Sequence, residues 1–254
     1  MAIQAVNGAN DLYGQIASGK RINSAADDAA GLAIANKMKT QETGLNQGAA
    51  NAKDGIGVLN IADGALGQVN DYLQRIYEIG IKASNSALYS ASDLSAMQAE
   101  VGQLMDGIQQ VATGTEYNTM KLLDGSMADM DLATNPEGGG LSIKMQNSTL
   151  EALGIDGFDV TGKFDLNRIT DAIAKVNESR SHIGAQTNAL ESVYDYNNYA
   201  SQNTTASRSG IEDLDMAKAV SDQKKNELIN TYQIMMQKKQ QENEQNLALG
   251  VMNF

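Results

Sequence analysis

The stretch Leu59–Ala83 reads LNIADGALGQVNDYLQRIYEIGIKA and decides the fold class. Apolar and small residues recur in it at alternating steps of three and four: Leu59, Ala62, Leu66, Val69, Leu73, Ile76, Gly80 and Ala83. This spacing is typical of the a and d positions of a coiled-coil seam. The small residues Ala62, Gly80 and Ala83 allow a partner helix to approach closely. The stretch therefore predicts a long helix that packs along another helix.

Two more stretches show the same alternation. The first follows Ser92 and Asp93, residue types that favour the N-cap of a helix. Its seam consists of Leu94, Met97, Val101, Leu104, Ile108 and Val111. The other seam consists of Leu166, Ile169, Ile173, Val176, Arg180, Ile183, Thr187, Leu190 and Tyr194. The serine-rich stretch Ser84–Ala91 predicts a loop that connects the first two helices.

The middle of the chain has a different character. Lys121–Gly125 reads KLLDG, and Asp-Gly is a frequent tight turn. Met127–Gly140 contains the only proline and a glycine triplet, so it predicts a loop. Leu141–Met145 alternates apolar and polar residues, and Phe158–Val160 is a second short β candidate. The prediction is a mainly α fold, with long antiparallel helices in a coiled-coil bundle and one small β-hairpin region.

Both ends of the chain carry apolar positions at helical spacing, up to about Asn36 and beyond about Ile211. Neither end has enough apolar surface to form a core alone. We therefore expect the two ends to pack against each other or against neighbouring copies of the chain.

The composition argues against several classes of function. The 254 residues carry 31 acidic and 19 basic side chains, and the net charge of −12 repels the phosphates of nucleic acids. The chain has no run of 18 apolar residues, so we expect no membrane helix. It has no cysteine and one histidine, His182, which leaves few residues for catalysis. We expect neither an enzyme nor a cofactor.

Two motifs with known chemistry are incomplete. Gly14–Arg21 reads GQIASGKR, whereas the phosphate-binding pattern needs Ser or Thr in place of Arg21. Four aspartates of the middle region lack the ligand spacing of a calcium-binding loop: Asp124, Asp129, Asp131 and Asp156. Solvent-exposed turn residues are the favoured interpretation of these aspartates.

Five segments carry a family resemblance. They are Arg21–Ala35 (RINSAADDAAGLAIA), Asn51–Ala65 (NAKDGIGVLNIADGA), Leu73–Ala83 (LQRIYEIGIKA), Tyr117–Gly125 (YNTMKLLDG) and Ile211–Lys218 (IEDLDMAK). Together, and in this order, they strongly resemble bacterial flagellin, the subunit of the flagellar filament. The resemblance covers nearly all of the chain outside about Met127–Gly140.

The resemblance implies a compact flagellin that lacks outer variable domains. Residues 1–36 and 211–254 are expected to pair as the terminal coiled coil that lines the filament core. Residues 37–210 are expected to form the helical-bundle domain, with its small β-hairpin region at about 117–162. The sides of that domain are expected to make the axial and lateral contacts between subunits.

The resemblance also implies a function and a location. It predicts a structural subunit that self-assembles through helical seams for cell motility, outside the cell in the flagellum. Flagellins leave the cell through a type III apparatus, so export without a cleavable signal peptide is expected. The alternative is a flagellin-like binding or regulatory protein, of the chaperone-binding or hook–filament junction type, that does not polymerise by itself.

Two sets of contact residues follow from the resemblance. The family's surface for a Toll-like innate immune receptor maps by motif onto Gln74, Arg75, Ile76, Glu78, Ile79 and Glu100. A helix face that contacts the next subunit is the simpler interpretation of the same residues, and we favour it.

The second set lies near the end of the chain. Flagellins have more sequence before the SGxRINSA motif than this chain has before Ser18, so we expect a shortened first terminal helix. The ending QQENEQNLALGVMNF is also more polar than is usual in the family. We expect Leu228, Tyr232 and Met235 to be apolar contacts for the inner core or for the export chaperone.

Overall fold

A computed structural model describes residues 12–85, 87–127 and 129–252. Residues 12–18 are helical. Five further helices follow: α1 Ala29–Ala83, α2 Ala91–Gly114, α3 Leu150–Leu153, α4 Asn167–Glu212 and α5 Met216–Met252. Four short strands lie between α2 and α3: β1 Glu116–Tyr117, β2 Met120–Lys121, β3 Asp129–Ala133 and β4 Gly140–Lys144. The predicted mainly α fold with a small β region is confirmed.

The chain divides into two compact units. One unit combines the chain up to Gln41 with the chain from Gln202 onward, and the other spans Glu42–Ser201. The first 11 residues of the predicted terminal coiled coil, its last two residues, and Ser86 and Ala128 in the two predicted loops lie outside the described residues.

In the unit Glu42–Ser201, α1 and α4 run antiparallel. The Ser201 hydroxyl donates to Asn46 Oδ1 at 2.7 Å, and Arg180 Nε donates to Asp63 Oδ1 at 2.8 Å. A later residue of α1 thus pairs with an earlier residue of α4, as expected for two helices that run in opposite directions. The α1–α2 pair shows the same relation, because Tyr72 lies against Gly107 while Arg75 bonds to Glu100.

The seam read from Leu59–Ala83 is confirmed. All eight of its positions are buried, and Leu59, Val69, Leu73 and Ile76 are completely inaccessible. These side chains belong to one hydrophobic core shared by α1, α2, α4 and the β region. Burying an aliphatic side chain of this size contributes about 1.5–3 kcal/mol, so this seam is a major source of the unit's stability.

The α2 seam is only partly confirmed. Val101 and Ile108 are buried as predicted, but Met105 and Ala112 share the core with them. The predicted positions Leu94, Met97, Leu104 and Val111 are half-buried at its edge. The reason is that α2 packs against several elements, so its buried stripe is wider than a two-helix seam.

The predicted start of α2 is also corrected. The N-cap is Ser90, not Ser92, and the helix begins at Ala91. Asp93 occupies the third helical position and accepts from the Ser90 backbone N–H at 2.9 Å, while Ser90 Oγ accepts from the Asp93 N–H at 3.3 Å. This reciprocal capping box satisfies two backbone donors.

The α4 seam is buried at alternate predicted positions, which are Ile169, Val176, Ile183 and Leu190. The positions between them are half-buried: Leu166, Ile173, Arg180, Thr187 and Tyr194. Near Ser201, where the unit ends, the buried side chains of α4 are polar and belong to Asn197 and Ser201. Their hydrogen bonds, rather than apolar burial, hold α4 at that end.

The predicted loop Met127–Gly140 is wrong in part. Asp129–Ala133 is a strand, β3, that pairs antiparallel with β4. Its sequence DMDLA alternates, so Met130 and Leu132 are half-buried while the residues between them are exposed. The glycines make the turn, in which Gly138 has a φ of +88° that favours glycine.

The prediction of a strand at Phe158–Val160 is wrong. The backbone there bonds to a side chain: Gln98 Nε2 donates to Phe158 O at 3.2 Å, and Val160 N donates to Gln98 Oε1 at 2.8 Å. A single glutamine thus takes the place of a neighbouring strand. The β region consists instead of two hairpins, β1–β2 and β3–β4.

The β3–β4 hairpin is held closely against α1 and α4. Asn51 Nδ2 donates to Ala133 O at 2.6 Å, and the buried Asn197 Nδ2 donates to Thr134 O at 2.8 Å. A Cβ at Gly48 would lie only 2.2 Å from Thr134 O. Glycine at position 48 is therefore what allows the two backbones to approach.

Candidate functional site

Arg75 is the centre of the first predicted contact surface. Its Nε donates to Glu100 Oε1 at 2.8 Å, and its Nη1 donates to Glu78 Oε2 at 3.0 Å. Hydrogen bonding to Glu100, and then to Glu78, raises the pKa of Arg75 above its usual value, so the guanidinium stays charged. The side chain is nevertheless 43% exposed, which leaves part of it open to a partner.

The six residues predicted for this surface divide into two groups. Gln74, Arg75 and Glu78 are exposed, and the Glu100 side chain is 45% exposed. Ile76 and Ile79 are buried, at 0% and 2% exposure, and belong to the hydrophobic core. We call the four accessible residues the Arg75 surface. The two isoleucines pack into the core and hold the helix in place. A partner could therefore contact only the four residues of the Arg75 surface directly.

The second predicted set lies on α5. Leu228, Tyr232 and Met235 are 61%, 70% and 60% exposed. Their spacing of four and three places them on one side of the helix, and the exposed Ile229 and Met236 adjoin them. We call these five residues the α5 apolar face. Large apolar side chains grouped on one exposed helix face are typical of a surface that is covered in an assembly.

A third feature was not predicted from the sequence. The unit that joins the two chain ends contains a polar junction in which the buried carboxylate of Glu212 pairs with Lys20 and with Arg208 Nη1, the latter at 3.0 Å. Backbone bonds flank it, since Arg21 N donates to Glu212 O at 2.7 Å and Leu214 N donates to Gly19 O at 3.0 Å. We call this the Lys20–Glu212 junction.

The junction joins two of the segments that carried the family resemblance. The SGKRINSA stretch supplies Lys20 and Arg21, and the segment that begins at Ile211 supplies Glu212 and the Ile211 carbonyl, which accepts from Arg21 Nη2 at 2.6 Å. Periodicity could not reveal this contact, because charged residues far apart in sequence have no repeat in common. The sequence signal that could have indicated this contact is that both family motifs, the SGKRINSA stretch and the segment from Ile211, occur in the same chain.

We expect Glu212→Gln to lower the free energy of local opening at the junction by about 1–3 kcal/mol at pH 7. The reason is that the substitution removes charge-assisted hydrogen bonds from a buried site. The hydrogen bond from Lys20 is the main cause that lowers the pKa of Glu212 below its ordinary value near 4.5. Ionised Glu212 therefore adds stability above about pH 4.5, and this stability is lost as the pH falls through the lower folded-state pKa. Hydrogen exchange of the Arg21 and Leu214 amides measures the local opening.

Glu178→Gln is the matched control for this prediction, since the Glu178 side chain is 67% exposed and its Oε1 lies 3.8 Å from His182 Nε2. It should leave the hydrogen exchange of both amides unchanged. If the difference in opening free energy between the unmodified chain and Glu212→Gln stays the same down to pH 2, the effect does not come from the ionised carboxylate.

In the part of the chain that the structure describes, no group of three or more His, Cys, Asp or Glu side chains is placed to hold a metal ion. None of its helices contains a stretch long and apolar enough to cross a bilayer. One open groove of about 330 Å³ is lined by Lys53, Ile56, Glu191, Tyr194 and Asp195.

Comparison with known families gives a match at each end of the chain. Residues 4–128 match the family model of the bacterial flagellin N-terminal helical region. Residues 166–249 match that of the bacterial flagellin C-terminal helical region. Together these two models cover the three long seams and both sides of the Lys20–Glu212 junction.

Individual relatives agree with these matches. A flagellin of Halalkalibacterium halodurans is 35% identical, with 85% of this chain and 82% of the relative covered. A flagellin of Bacillus subtilis is 34% identical, with 85% and 83% covered. The flagellar filament 33 kDa core protein of Treponema phagedenis is 34% identical, with 85% and 82% covered.

Two solved structures share the fold. The crystal structure of Bacillus cereus flagellin has a TM-score of 0.52 at 23% identity and covers 58% of this chain and 88% of that one. A putative flagellar hook-associated protein from Vibrio parahaemolyticus has a TM-score of 0.62 at 16% identity, covering 74% and 100%. At these identities the likeness concerns the fold alone.

Proposed function

This chain belongs to the bacterial flagellin family, and we propose on that basis that its subunits join through the α5 apolar face. The protein is a structural subunit of the bacterial flagellar filament and not an enzyme. The observation that carries the proposal is the 60–70% exposure of Leu228, Tyr232 and Met235 on one helix face. Covering each side chain with a neighbouring subunit contributes about 1.5–3 kcal/mol, and helical assembly repeats that contact along the filament.

We assign residues 1–36 and 211–254 to a terminal coiled-coil domain and residues 37–210 to a helical-bundle domain. The division of the chain into two compact units supports a two-domain organisation. Within the unit that contains these segments, the Tyr13 hydroxyl donates to Glu227 Oε1 at 2.9 Å, and Glu227 directly precedes Leu228, the first residue of the α5 apolar face. Together with the Lys20–Glu212 junction, this contact holds the first helix beside α5.

The same face of α5 suits the export chaperone before assembly. An amphipathic helix bound in an apolar groove needs anchors spaced by three and four residues, and Leu228, Tyr232 and Met235 have that spacing. A chaperone bound there would keep subunits apart until export through the type III route, which uses no cleavable signal. Calorimetric titration of the chain with the flagellin chaperone tests this, and unchanged affinity after polar substitution of the three anchors would contradict it.

We propose that the Arg75 surface contacts the next subunit. Arg75 is held in place by two carboxylates, so it loses little side-chain entropy when it binds, and Arg is frequent among the residues that dominate protein interfaces. The same properties suit a Toll-like innate immune receptor, which is the other partner expected for this surface.

Electron microscopy of the pure chain, with and without filament fragments as seeds, tests the assembly function. We expect unmodified chain to extend the seeds and Arg75→Ala to extend them at least about tenfold more slowly, the effect of losing a dominant interface residue. A receptor-reporter assay on the same two proteins separates the two partners of the surface. Persistent monomers of unmodified chain would contradict assembly and favour a binding or hook–filament junction protein instead.

A further inference from the structure

The exposed methionines of the described chain are concentrated on α5. Met235 and Met236 are 60% and 61% exposed, and Met216, at the start of the helix, is 44% exposed. Met105 and Met145 are buried, at 9% and 8% exposure, and the other described methionine side chains are half-buried. Since the chain has no cysteine and no tryptophan, thioethers are its most readily oxidised groups.

Met235 and Met236 also belong to the α5 apolar face. Met235 lies on the side of Leu228 and Tyr232, at spacings of seven and three residues, and Met236 lies seven residues after Ile229. A change in the polarity of both sulfur atoms therefore alters two of the five side chains of that face. Met216 is exposed too, but it lies twelve residues before Leu228 and outside the face.

We propose that Met235 and Met236 form an oxidation-sensitive modification site that controls whether the free subunit can assemble. The reactant is hydrogen peroxide. One peroxide oxygen is transferred to the thioether sulfur, so that the O–O bond breaks, an S–O bond forms, the sulfur loses two electrons and the peroxide leaves as water. The product sulfoxide is polar and accepts hydrogen bonds, so its burial against an apolar neighbour is unfavourable.

The consequence for assembly rests on the proposed function of the α5 apolar face. Oxidised subunits would keep their fold, because both side chains are exposed and make no core contact. They would lose the apolar contact with a neighbouring subunit. Once subunits have assembled, the same contact would cover both sulfur atoms, so oxidation would act on free subunits and spare those in the filament.

The first measurement is the rate of oxidation at each methionine of the unassembled chain. After timed exposure to hydrogen peroxide and quenching with catalase, mass spectrometry follows the tryptic peptide 226–238, which contains both residues. We expect sulfoxide to form there about tenfold faster than at the buried Met105 and Met145 in the same sample. Equal rates at all four residues would overturn the proposed site.

The second measurement is the extension of filament seeds by the treated chain. We expect the critical concentration for assembly to rise at least about tenfold after oxidation. It should return to its original value when the two stereospecific methionine sulfoxide reductases are added with dithiothreitol, which supplies their electrons. The variant Met235→Leu/Met236→Leu should assemble normally after the same treatment, because leucine keeps the apolar volume without a sulfur atom. The matched control Met216→Leu should remain as sensitive as the unmodified chain.

The two ways of failing are distinguishable. If the oxidised chain extends seeds with the same critical concentration as the untreated chain, the proposed modification site is wrong and the assembly function stands. Failure of the untreated chain to extend seeds would overturn the assembly role of the face and with it the consequence proposed for oxidation.

Discussion

The triple variant Leu228→Ser/Tyr232→Ser/Met235→Ser is expected to remain monomeric at concentrations where the unmodified chain forms filaments. Each of these side chains is at least 60% exposed in the free subunit, so the loss falls on the contact between subunits. Three apolar anchors at about 1.5–3 kcal/mol each amount to several kcal/mol per contact, which raises the critical concentration by at least about a thousandfold. Sedimentation velocity and electron microscopy with seeds measure the change.

The matched control places three serines on the opposite side of the same helix, as Gln237→Ser/Gln241→Ser/Gln245→Ser. These glutamines are exposed and lie away from the α5 apolar face. The control costs similar helix propensity, so it separates a weaker helix from a lost contact. It should assemble nearly as well as the unmodified chain, and circular dichroism should show helical monomers for both variants. Equal critical concentrations for the two triple variants would contradict the proposed role of the face.

Gly48→Ala is expected to lower the free energy of unfolding by about 2–3 kcal/mol, the usual size of an overpacking effect. The added Cβ would lie 2.2 Å from Thr134 O and 2.9 Å from Asn197 Nδ2. The first of these atoms is backbone and cannot rotate away, so the β3–β4 hairpin must shift. The shift stretches the buried hydrogen bond from Asn197 to Thr134 O. Urea denaturation of the whole chain, followed by circular dichroism, measures the loss.

Gly64→Ala is the control for this prediction. Gly64 lies on the same helix, and a Cβ there meets nothing within 4 Å. The substitution should stabilise the chain by about 0.5–1 kcal/mol, because alanine has the higher helix propensity. The two variants are thus expected to change stability in opposite directions. A stabilising Gly48→Ala would show that the hairpin is not tightly seated on α1.

Burial at the seam of Leu59–Ala83 could be predicted from spacing alone, since a helix that faces one partner repeats its contacts every three or four residues. The same reasoning misplaced part of α2, where Met105 and Ala112 are buried and Leu104 and Val111 lie at the edge of the core. Spacing identifies that a stripe is apolar. How wide the buried stripe becomes depends on how many neighbours surround the helix.

The candidate surfaces show the same difference between what the sequence indicates and what packing decides. Motif resemblance selected Gln74 to Ile79 as one group, but the structure separates its exposed polar members from the core residues Ile76 and Ile79. On α5, the spacing of Leu228, Tyr232 and Met235 already indicated one face. That this face is uncovered in the free subunit depends on which side of α5 the rest of its unit occupies.

The sequence by itself determined the helical class, the main seam and the family, because helical periodicity and short motifs are local properties of the chain. Only the tertiary structure decided the contacts made by single polar groups. Gln98 replaces a strand beside Phe158, Asn197 holds the hairpin through Thr134, and Lys20 pairs with Glu212, 192 residues later. Such hydrogen bonds join groups far apart in sequence and leave no periodic pattern, so they emerge only when packing brings buried donors and acceptors together.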